Sequence, residues 1–476
     1  MKKITALWMS LCSSVLLMAQ GPVQLPLLQH WHDPSLPGSS FYNNVYNDVW
    51  GLSINGHEYG VIGSTMGTHF IDITGPGQPF EAFFVPGAAQ GQAIIHRDFA
   101  EYRGRLYIVC DEMPQSSTLQ IVDLRNLPAS ISVVYDSRAL FSLAHTVVVD
   151  TLHAKMYAGI PRNNQFFHSL GVFSLADPDN PTLLGFYDQI GGVGFSQVHD
   201  LFVRHDTAYL NCGPDALVVA DFTDGAAPVL LGNLDNYPQR GYNHSGWLTE
   251  DGRTYYMADE DHDFDLKACN VTDLQNISVE GLFDAGLPNG SFSIPHNPVV
   301  KGRYLYVSYY YEGVVVYDIA DPLHPVQVAY YDTYPGPNRN SYEGAWGVYP
   351  FLPSGKILVS DMQTGLYVFA PMDSLPLLGV PEAGTPLAGL SVFPQPASGS
   401  FEVRWSAPTA LSARFGLWDA QGRQVADWGR REMPAGTTRR RFDLPVGLPA
   451  GLYVLRAVAE GPSGGTVAAK VFVTGP

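Results

Sequence analysis

The chain is poor in charged residues, and basic residues are the scarcer kind. Charged residues make up 15% of the 476 positions, and 27 Lys and Arg stand against 45 Asp and Glu. After residue 384 there are 10 basic and 6 acidic residues, which leaves 17 and 39 before it. So negative a field repels phosphate groups, and the sequence therefore argues against nucleic acid and anionic membranes as partners.

Long apolar runs are also missing, with one exception at the N-terminus. Lys2 and Lys3 precede an apolar run over residues 4–18, and Ala19 and Gln20 follow it. The run is too short to span a bilayer but has the order of charges and apolar residues of a secretory signal. We predict a signal peptide over residues 1–20 and no transmembrane segment in the mature chain.

Cysteine is rare, and several common catalytic motifs are absent. Once the signal is removed, Cys110, Cys212 and Cys269 remain, which is too few for a Cys-rich metal site. Cys110 and Cys212 occupy similar strand positions in units that are not neighbours, so we predict buried free thiols. The sequence has no P-loop, dinucleotide fingerprint, HExxH motif or nucleophile elbow, which argues against the commonest nucleotide and hydrolase chemistries.

What the sequence does contain is a residue that returns about every 50 positions. Five histidines are spaced by 49, 54, 45 and 52 residues, and the same step leads to a tryptophan on either side. Each is followed by an apolar run, a Tyr-rich strand, a third strand that ends in Asp or a similar residue, and a Pro-containing turn. Four short strands in such a period are typical of a propeller blade. We therefore predict an all-β fold, a seven-bladed β-propeller over residues 22–370, from the anchors Trp50, His96, His145, His199, His244, His296 and Trp346.

The last repeat lacks an outer strand after residues 365–369. A segment of matching sequence stands instead at the front of the chain, over residues 26–33. We expect this N-terminal segment to supply the missing strand of the last blade, because a closed ring leaves no sheet edge exposed at the seam.

A Pro- and Gly-rich linker over residues 371–389 leads to a second domain over residues 390–476. Alternating strands with Gly turns predict a small β-sandwich there. The Pro-Gln-Pro-Ala segment at 394–397, the Pro-Ala-Gly-Leu-Tyr segment at 449–453 and the final Lys470-Val471 strand resemble the C-terminal sorting domain of the type IX secretion system of Bacteroidota. The resemblance implies export by the type IX secretion machinery, followed by surface attachment or release.

The repeats themselves resemble the choice-of-anchor B family, whose repeats are named for a Leu-Val-Ile-Val-Asp consensus. The motifs that carry the resemblance are Tyr46-Asn-Asp-Val-Trp-Gly51, Ala144-His145, Val198-His-Asp200, His244-Ser-Gly-Trp247, Pro295-His-Asn297 and Gly347-Val-Tyr-Pro-Phe351. The likeness implies a secreted or cell-surface propeller with a variable anchor, and it implies no settled activity. Blade 3 departs from the pattern, because it places Arg162 where other blades have acidic residues.

Blade geometry predicts that the repeating residues lie together, and they therefore form a candidate site. The first strand of each blade lines the channel, and the second returns to the same face, so the anchors should surround one mouth of the channel. The candidate ligand-binding residues are Trp50, His96, His145, His199, His244, His296 and Trp346, and the candidate metal ligands are His96, Asp98, Asp111, Glu112, His199, Asp200, Asp259, Glu260, Asp261 and Asp361.

Two alternatives stay open for these residues. Each histidine could instead join blades through hydrogen bonds to backbone or Asp, and the acidic run over residues 259–265 could be a solvated loop. If a divalent cation binds, imidazole with carboxylate suits zinc or another transition metal, whereas carboxylates with carbonyls suit calcium.

Two function classes follow from the sequence. The favoured one is a non-catalytic binding module at the cell surface or in the medium, with an unknown protein, glycan or small molecule as its ligand. The alternative is a metal-dependent hydrolase or lyase with its site at the mouth of the channel. Fold alone does not decide between them.

Overall fold

The computed structural model describes residues 22–287, 290–375, 388–407, 411–419, 423–434, 436–459 and 466–474. The chain divides into two compact units, Met1–Pro371 and Met372–Pro476. The prediction of an all-β fold is confirmed, because the described residues contain only two short 3₁₀ helices, Leu274–Asn276 and Met372–Ser374. Within these residues no helix is long and apolar enough to cross a membrane. The signal peptide predicted over residues 1–20 and most of the linker lie outside the described residues.

The first unit contains two N-terminal strands and seven antiparallel sheets built from consecutive strands. The N-terminal strands are β1 (Val23–Gln24) and β2 (Leu27–Trp31). The first three sheets are β3 (Tyr46–Ile54), β4 (His57–Ser64), β5 (Gly67–Asp72) and β6 (Phe80–Pro86); β7 (Arg97–Tyr102), β8 (Arg105–Cys110), β9 (Leu119–Asp123) and β10 (Ser132–Ser137); β11 (Thr146–Asp150), β12 (Lys155–Gly159), β13 (Leu170–Ser174) and β14 (Thr182–Tyr187). A small hairpin follows, β15 (Gln189–Ile190) and β16 (Val193–Gly194).

The remaining four sheets of this unit repeat the same meander. They are β17 (Asp200–Arg204), β18 (Thr207–Asn211), β19 (Leu217–Asp221) and β20 (Val229–Leu234); β21 (Asn243–Leu248), β22 (Thr254–Asp259), β23 (Leu266–Asn270) and β24 (Ser278–Phe283); β25 (Asn297–Lys301), β26 (Tyr304–Ser308), β27 (Val314–Asp318) and β28 (Val326–Tyr331); and β29 (Ala345–Tyr349), β30 (Ile357–Asp361) and β31 (Gly365–Phe369).

Burial explains why these strands have different sequence patterns. The second strand of the second sheet, Arg105–Cys110, is buried at every position, and its outer strand, Ser132–Ser137, is mostly exposed. Inner strands are covered on both faces by neighbouring sheets and therefore read as continuous apolar runs. Side chains of adjacent sheets share one apolar core; for example, Val61 and Phe70 of the first sheet pack with Leu106 and Ile108 of the second.

The first strands of the seven sheets surround a common axis. They contact one another in chain order, from β3 to β7, β11, β17, β21, β25 and β29, and β29 in turn contacts β3. Radial sheets joined at their first strands are the arrangement of a β-propeller. One end of the axis therefore gathers the starts of all the first strands.

The N-terminal segment pairs with the last two sheets. Strand β2 pairs antiparallel with β31, from Leu27 opposite Phe369 to Trp31 opposite Leu366, and is the fourth strand of the seventh sheet. This is the pairing expected from the sequence. Strand β1 adds a parallel fifth strand to the sixth sheet, with Val23 opposite Ala329, and the sequence did not indicate this contact.

The second unit is a seven-stranded β structure. Strand β32 joins two groups of strands in it, since it pairs with both β33 and β38. Trp405 and Phe401 of β33 pack with Phe415 of β34 in a single buried cluster. The strands are β32 (Ala388–Ser398), β33 (Ser400–Ala407), β34 (Leu411–Trp418), β35 (Gln424–Met433), β36 (Gly436–Asp443), β37 (Gly451–Ala459) and β38 (Thr466–Val473).

Candidate functional site

Five imidazoles and one indole form a closed ring at one end of the axis of the first unit. Each belongs to the start of a first strand, either directly before it or as its second residue. Neighbouring ring centroids lie 3.9–5.1 Å apart all the way around. The members, in order, are His96, His145, His199, His244, His296 and Trp346.

Three of these imidazoles are oriented by a partner at Nδ1. His96 Nδ1 lies 2.7 Å from Glu112 Oε1, and His145 Nδ1 lies 2.9 Å from Asp111 Oδ2. His296 Nδ1 lies 2.5 Å from the carbonyl oxygen of Trp346. Because these partners only accept, Nδ1 carries the proton when each imidazole is neutral, and Nε2 then carries the lone pair. This is how metal-binding histidines are commonly held.

The other two imidazoles have different surroundings. His199 Nδ1 lies 2.8 Å from the hydroxyl of Tyr242, and that hydroxyl also accepts a hydrogen bond from Gln197. Nδ1 of His244 is buried and has no hydrogen-bond partner among the described residues. Among the described contacts, none of the five Nε2 atoms takes part in a hydrogen bond.

Glu260 lies between two of the imidazoles. Its Oε2 is 3.8 Å from His244 Nε2 and its Oε1 is 3.8 Å from His296 Nε2. The hydroxyl of Tyr310 donates to Oε1 over 2.6 Å and so fixes the carboxylate. A separation of 3.8 Å is too long for a hydrogen bond. Two ligands of a tetrahedral zinc ion, each about 2.0–2.1 Å from the metal, lie roughly 3.4 Å apart, and the observed spacing is within a few tenths of an ångström of that.

Burial is the main influence on the charge states of the ring histidines and of Glu260. It lowers the pKa of His199 and His244 well below the usual value, and the neighbouring imidazoles lower it further. Burial also lowers the pKa of His296 to about 3 and raises that of Glu260 to about 7. For His145 burial lowers the pKa, but the hydrogen bond to Asp111 and the charges of Asp111, Glu112 and Asp98 together outweigh it, and the pKa is raised. Neutral imidazoles therefore dominate on the Glu260 side at neutral pH, in the form that binds metals.

A layer of carboxylates lies below the ring, inside the channel. The hydroxyl of Thr146 contacts Asp98 Oδ2 at 2.7 Å and Asp200 Oδ1 at 3.2 Å. Asp48 lies beside Asp98, and burial followed by the charge of Asp98 raises the pKa of Asp48 well above its usual value. Burial, followed by the charge of Asp98, also raises the pKa of Asp200 to about 7.

Trp50 does not take part in the ring, so the expectation that it joins the other anchors is wrong. It lies in the middle of β3 opposite Val61, and its ring is 5.1 Å from Tyr349. A register shift between Tyr46 and Val49 moves the start of this first strand. Asn47 is the second residue of β3, as His244 is of β21, and it donates to the carbonyl oxygen of Ile95.

Three of the predicted metal ligands are engaged elsewhere. Asp259 is fully buried 3.1 Å from the Nζ atom of Lys267. Asp261 accepts from the backbone N–H of Tyr242 at 2.6 Å, and Asp361 accepts from Thr333 and from two backbone N–H groups of the following turn. These carboxylates hold loops and blades together and are not available to an ion.

The remaining predicted ligands divide between the ring and the channel. Asp111, Glu112 and Glu260 contact ring histidines, and Asp98 and Asp200 form the layer below. The sequence did not indicate Asp48, Tyr242 or Tyr310. Asp48 follows Asn47 as Asp200 follows His199, and this likeness was the one signal that could have found it.

Among the described residues, three sets of side chains have ligand atoms within 4.8 Å of one another. Two of these sets belong to the ring. The three sets are His96 with Asp111 and His145, His199 with His244 and Glu260, and a distant set of Asp150, His153 and Asp206. In the distant set, Lys155 Nζ lies 2.7 Å from Asp206, so a lysine already occupies the place of a cation. Cys110, Cys212 and Cys269 are free and buried, as predicted.

Comparison with known proteins finds only a distant similarity of fold. No protein-family model matches the chain, and no curated protein matches it. Two solved structures cover 72% and 84% of the chain and 99% of their own length, each at 11% identity. They are the computationally designed Ika8 protein, with a TM-score of 0.44, and the periplasmic gluconolactonase PpgL of Pseudomonas aeruginosa, with a TM-score of 0.49. Neither likeness bears on function.

Proposed function

We propose that this chain is an exported seven-bladed β-propeller that binds a divalent transition-metal ion at the histidine ring. The count of seven blades rests on the seven sheets whose first strands contact one another in a closed order. The ion lies among His199, His244, His296 and Glu260. In this reading the protein is a secreted or surface-attached binding module, and the metal is the group through which it recognises its ligand.

The single observation that carries the proposal is the spacing around Glu260. Its two oxygens stand 3.8 Å from two imidazole nitrogens that have no hydrogen-bond partner. A zinc ion about 2.0–2.1 Å from one such oxygen and nitrogen needs these atoms roughly 3.4 Å apart, which is close to the observed spacing. Nitrogen ligands favour zinc or a similar metal over calcium, which prefers an all-oxygen site.

An ion at the centre of the ring fits less well. The centre of a near-regular ring of six lies about as far from each centroid as neighbours lie from one another, here 3.9–5.1 Å. A central ion would then be on the order of 3 Å from each nitrogen, beyond the reach of a zinc–nitrogen bond. The ion therefore lies off-centre, against Glu260.

A metal analysis tests this function directly. We expect the purified chain, loaded with zinc and freed of excess, to retain bound zinc, and calcium not to displace it. The double variant His244→Ala and His296→Ala should lose the zinc at this position. A matched control, His57→Ala with His324→Ala, changes two histidines outside the ring and should retain it.

Circular dichroism on the same samples separates loss of metal from loss of fold. A zinc-loaded wild type that contains no metal overturns the proposal. So does a folded double variant that binds as much zinc as the control.

A metal-dependent hydrolase or lyase remains a second candidate, on one specific observation. Ligand atoms of three residues, His199, His244 and Glu260, lie within 4.8 Å of one another on this side. Three protein ligands with a fourth position open to water are typical of catalytic zinc sites. The metal analysis bears on this candidate as well, because a metal-free protein would remove it.

Export rests on the second unit. We propose that residues 390–476 are a type IX sorting domain, on the resemblance of the Pro-Ala-Gly-Leu-Tyr segment and the final Lys-Val strand. In the structure these two segments pair with each other as β37 and β38. This pairing is compatible with a unit that folds as one sorting signal.

A reporter fusion tests the export proposal. Residues 385–476, joined to a reporter with a Sec signal, should reach the surface or the medium of a host with type IX secretion. The same reporter without this tail should stay in the periplasm. Equal periplasmic retention of both fusions would contradict the assignment.

A further inference from the structure

We infer that the ring holds a second divalent transition-metal ion, at His96 and His145, in addition to the one beside Glu260. This inference deepens the proposed function and rests on it for the general chemistry of the site. It separates the ring into a closed half, made by His199, His244, His296 and Glu260, and an open half, made by His96 and His145.

Solvent exposure distinguishes the two halves. In the open half 23% of the His96 side chain and 13% of the His145 side chain are exposed. In the closed half the corresponding values are 6% for His244 and 2% for His296. An ion in the open half would keep water molecules in its coordination sphere, whereas one in the closed half would be surrounded mainly by protein.

The open half has its own imidazole ligands. Ligand atoms of His96, Asp111 and His145 lie within 4.8 Å of one another, but Asp111 is engaged by His145 Nδ1 at 2.9 Å and by Arg162 at 2.8 Å, so the two imidazoles are the protein ligands of this half. Glu112 and Asp111 fix the Nδ1 atoms, so both Nε2 lone pairs are free for an ion. Carboxylates that orient histidines in this way raise their basicity as metal ligands.

A single ion does not satisfy both halves. Ions bind imidazole at about 2.0–2.1 Å, and the ring centre is too far from all the nitrogens for one ion to reach both sides. An ion held between His244 and Glu260 therefore leaves His96 and His145 without a metal.

The surrounding charge suits two dications. Asp111, Glu112 and Glu260 contact the ring, and Asp48, Asp98 and Asp200 lie just below it. Among the described contacts of these last three carboxylates, none is to Lys or Arg. Arg162 also lies beside the ring, and it pairs with Asp111 at 2.8 Å.

The test is a zinc stoichiometry on the full chain with one variant for each half. The open-half variant is His96→Gln with His145→Gln, because a glutamine amide can still donate to Glu112 and Asp111 but is a poor zinc ligand. The closed-half variant is His244→Ala with His296→Ala. We expect two equivalents of zinc in the wild type and one in each variant.

The rate of zinc loss adds a second readout. In the wild type a chromogenic chelator should remove one equivalent at least about tenfold faster than the other, because the open ion exchanges its water ligands. The open-half variant should lack the fast phase and keep the slow one.

The outcomes separate this inference from the proposed function. One equivalent in the wild type, unchanged in the open-half variant, overturns the second ion and leaves the first in place. A single equivalent that is lost in the open-half variant also overturns the two-ion arrangement. No zinc in the wild type overturns the proposed function itself.

Discussion

Replacing Asp259 by asparagine is expected to destabilise the first unit by about 3–5 kcal/mol, because it leaves the buried Lys267 ammonium without its counter-ion. Both side chains are fully buried and stand 3.1 Å apart. Asp259 also accepts from Tyr237, from the backbone N–H of Gly241 and from Asn243. The lysine has no such set of partners, since its Nζ atom makes no hydrogen bond.

The companion change, Lys267→Met, should cost less than Asp259→Asn. The carboxylate that it leaves behind still has three hydrogen-bond donors, and burial already lowers the pKa of Lys267 against the opposing pull of Asp259. The double variant should recover at least half of the loss, because no uncompensated charge remains. Urea unfolding of the four proteins measures the cycle. Additive losses in the double variant would contradict the coupling.

Replacing Asp200 by asparagine is expected to stabilise the metal-free protein at pH 7 and to have little effect at pH 4. Burial raises the pKa of Asp200 from 3.8 to about 7, with the charge of Asp98 as the next cause. The folded state thus keeps this proton up to about pH 7, whereas the unfolded chain loses it near pH 4. Stability therefore falls as pH rises across this window.

The size of the effect follows from the shift. At about 1.4 kcal/mol for each pKa unit, the aspartate costs up to about 4 kcal/mol at pH 7 and above. Asparagine does not titrate, so the stability difference between variant and wild type should grow from pH 4 to pH 7. Denaturant unfolding with a chelator present measures it. A difference that stays constant over this range would show that folding leaves the pKa of Asp200 at its unfolded value.

Periodicity predicted the fold and most of the ring, because both depend on repeated local sequence. His96, His145, His199, His244 and His296 each stand at a strand start, and a common strand position translates directly into a common place around the axis. The same reasoning failed for Trp50. A register shift in β3 places the start of this strand at Tyr46, well ahead of Trp50, and such a bulge leaves no mark on the spacing.

The sequence did not predict which way individual carboxylates point. Asp259 and Glu260 are neighbours, yet one faces Lys267 inside the sheet and the other faces the imidazoles. Adjacent residues at a strand end point to different sides, and only the packed neighbours show which side holds a counter-charge. Tyr310 and Tyr242 were missed for a similar reason, since their hydroxyls reach the site from other sheets.

The pairing of the N-terminal segment with the last sheets has a kinetic consequence. The hydrogen bond between His30 and Thr364 joins residues 334 positions apart, so a strand that is synthesised early finds its partner late. Contacts so remote in sequence are slow to form, because the chain must lose the entropy of closing a very long loop. A nascent or translocating chain therefore carries an unsealed sheet edge until residue 369 is free. A factor that shields this edge would control when the protein can mature.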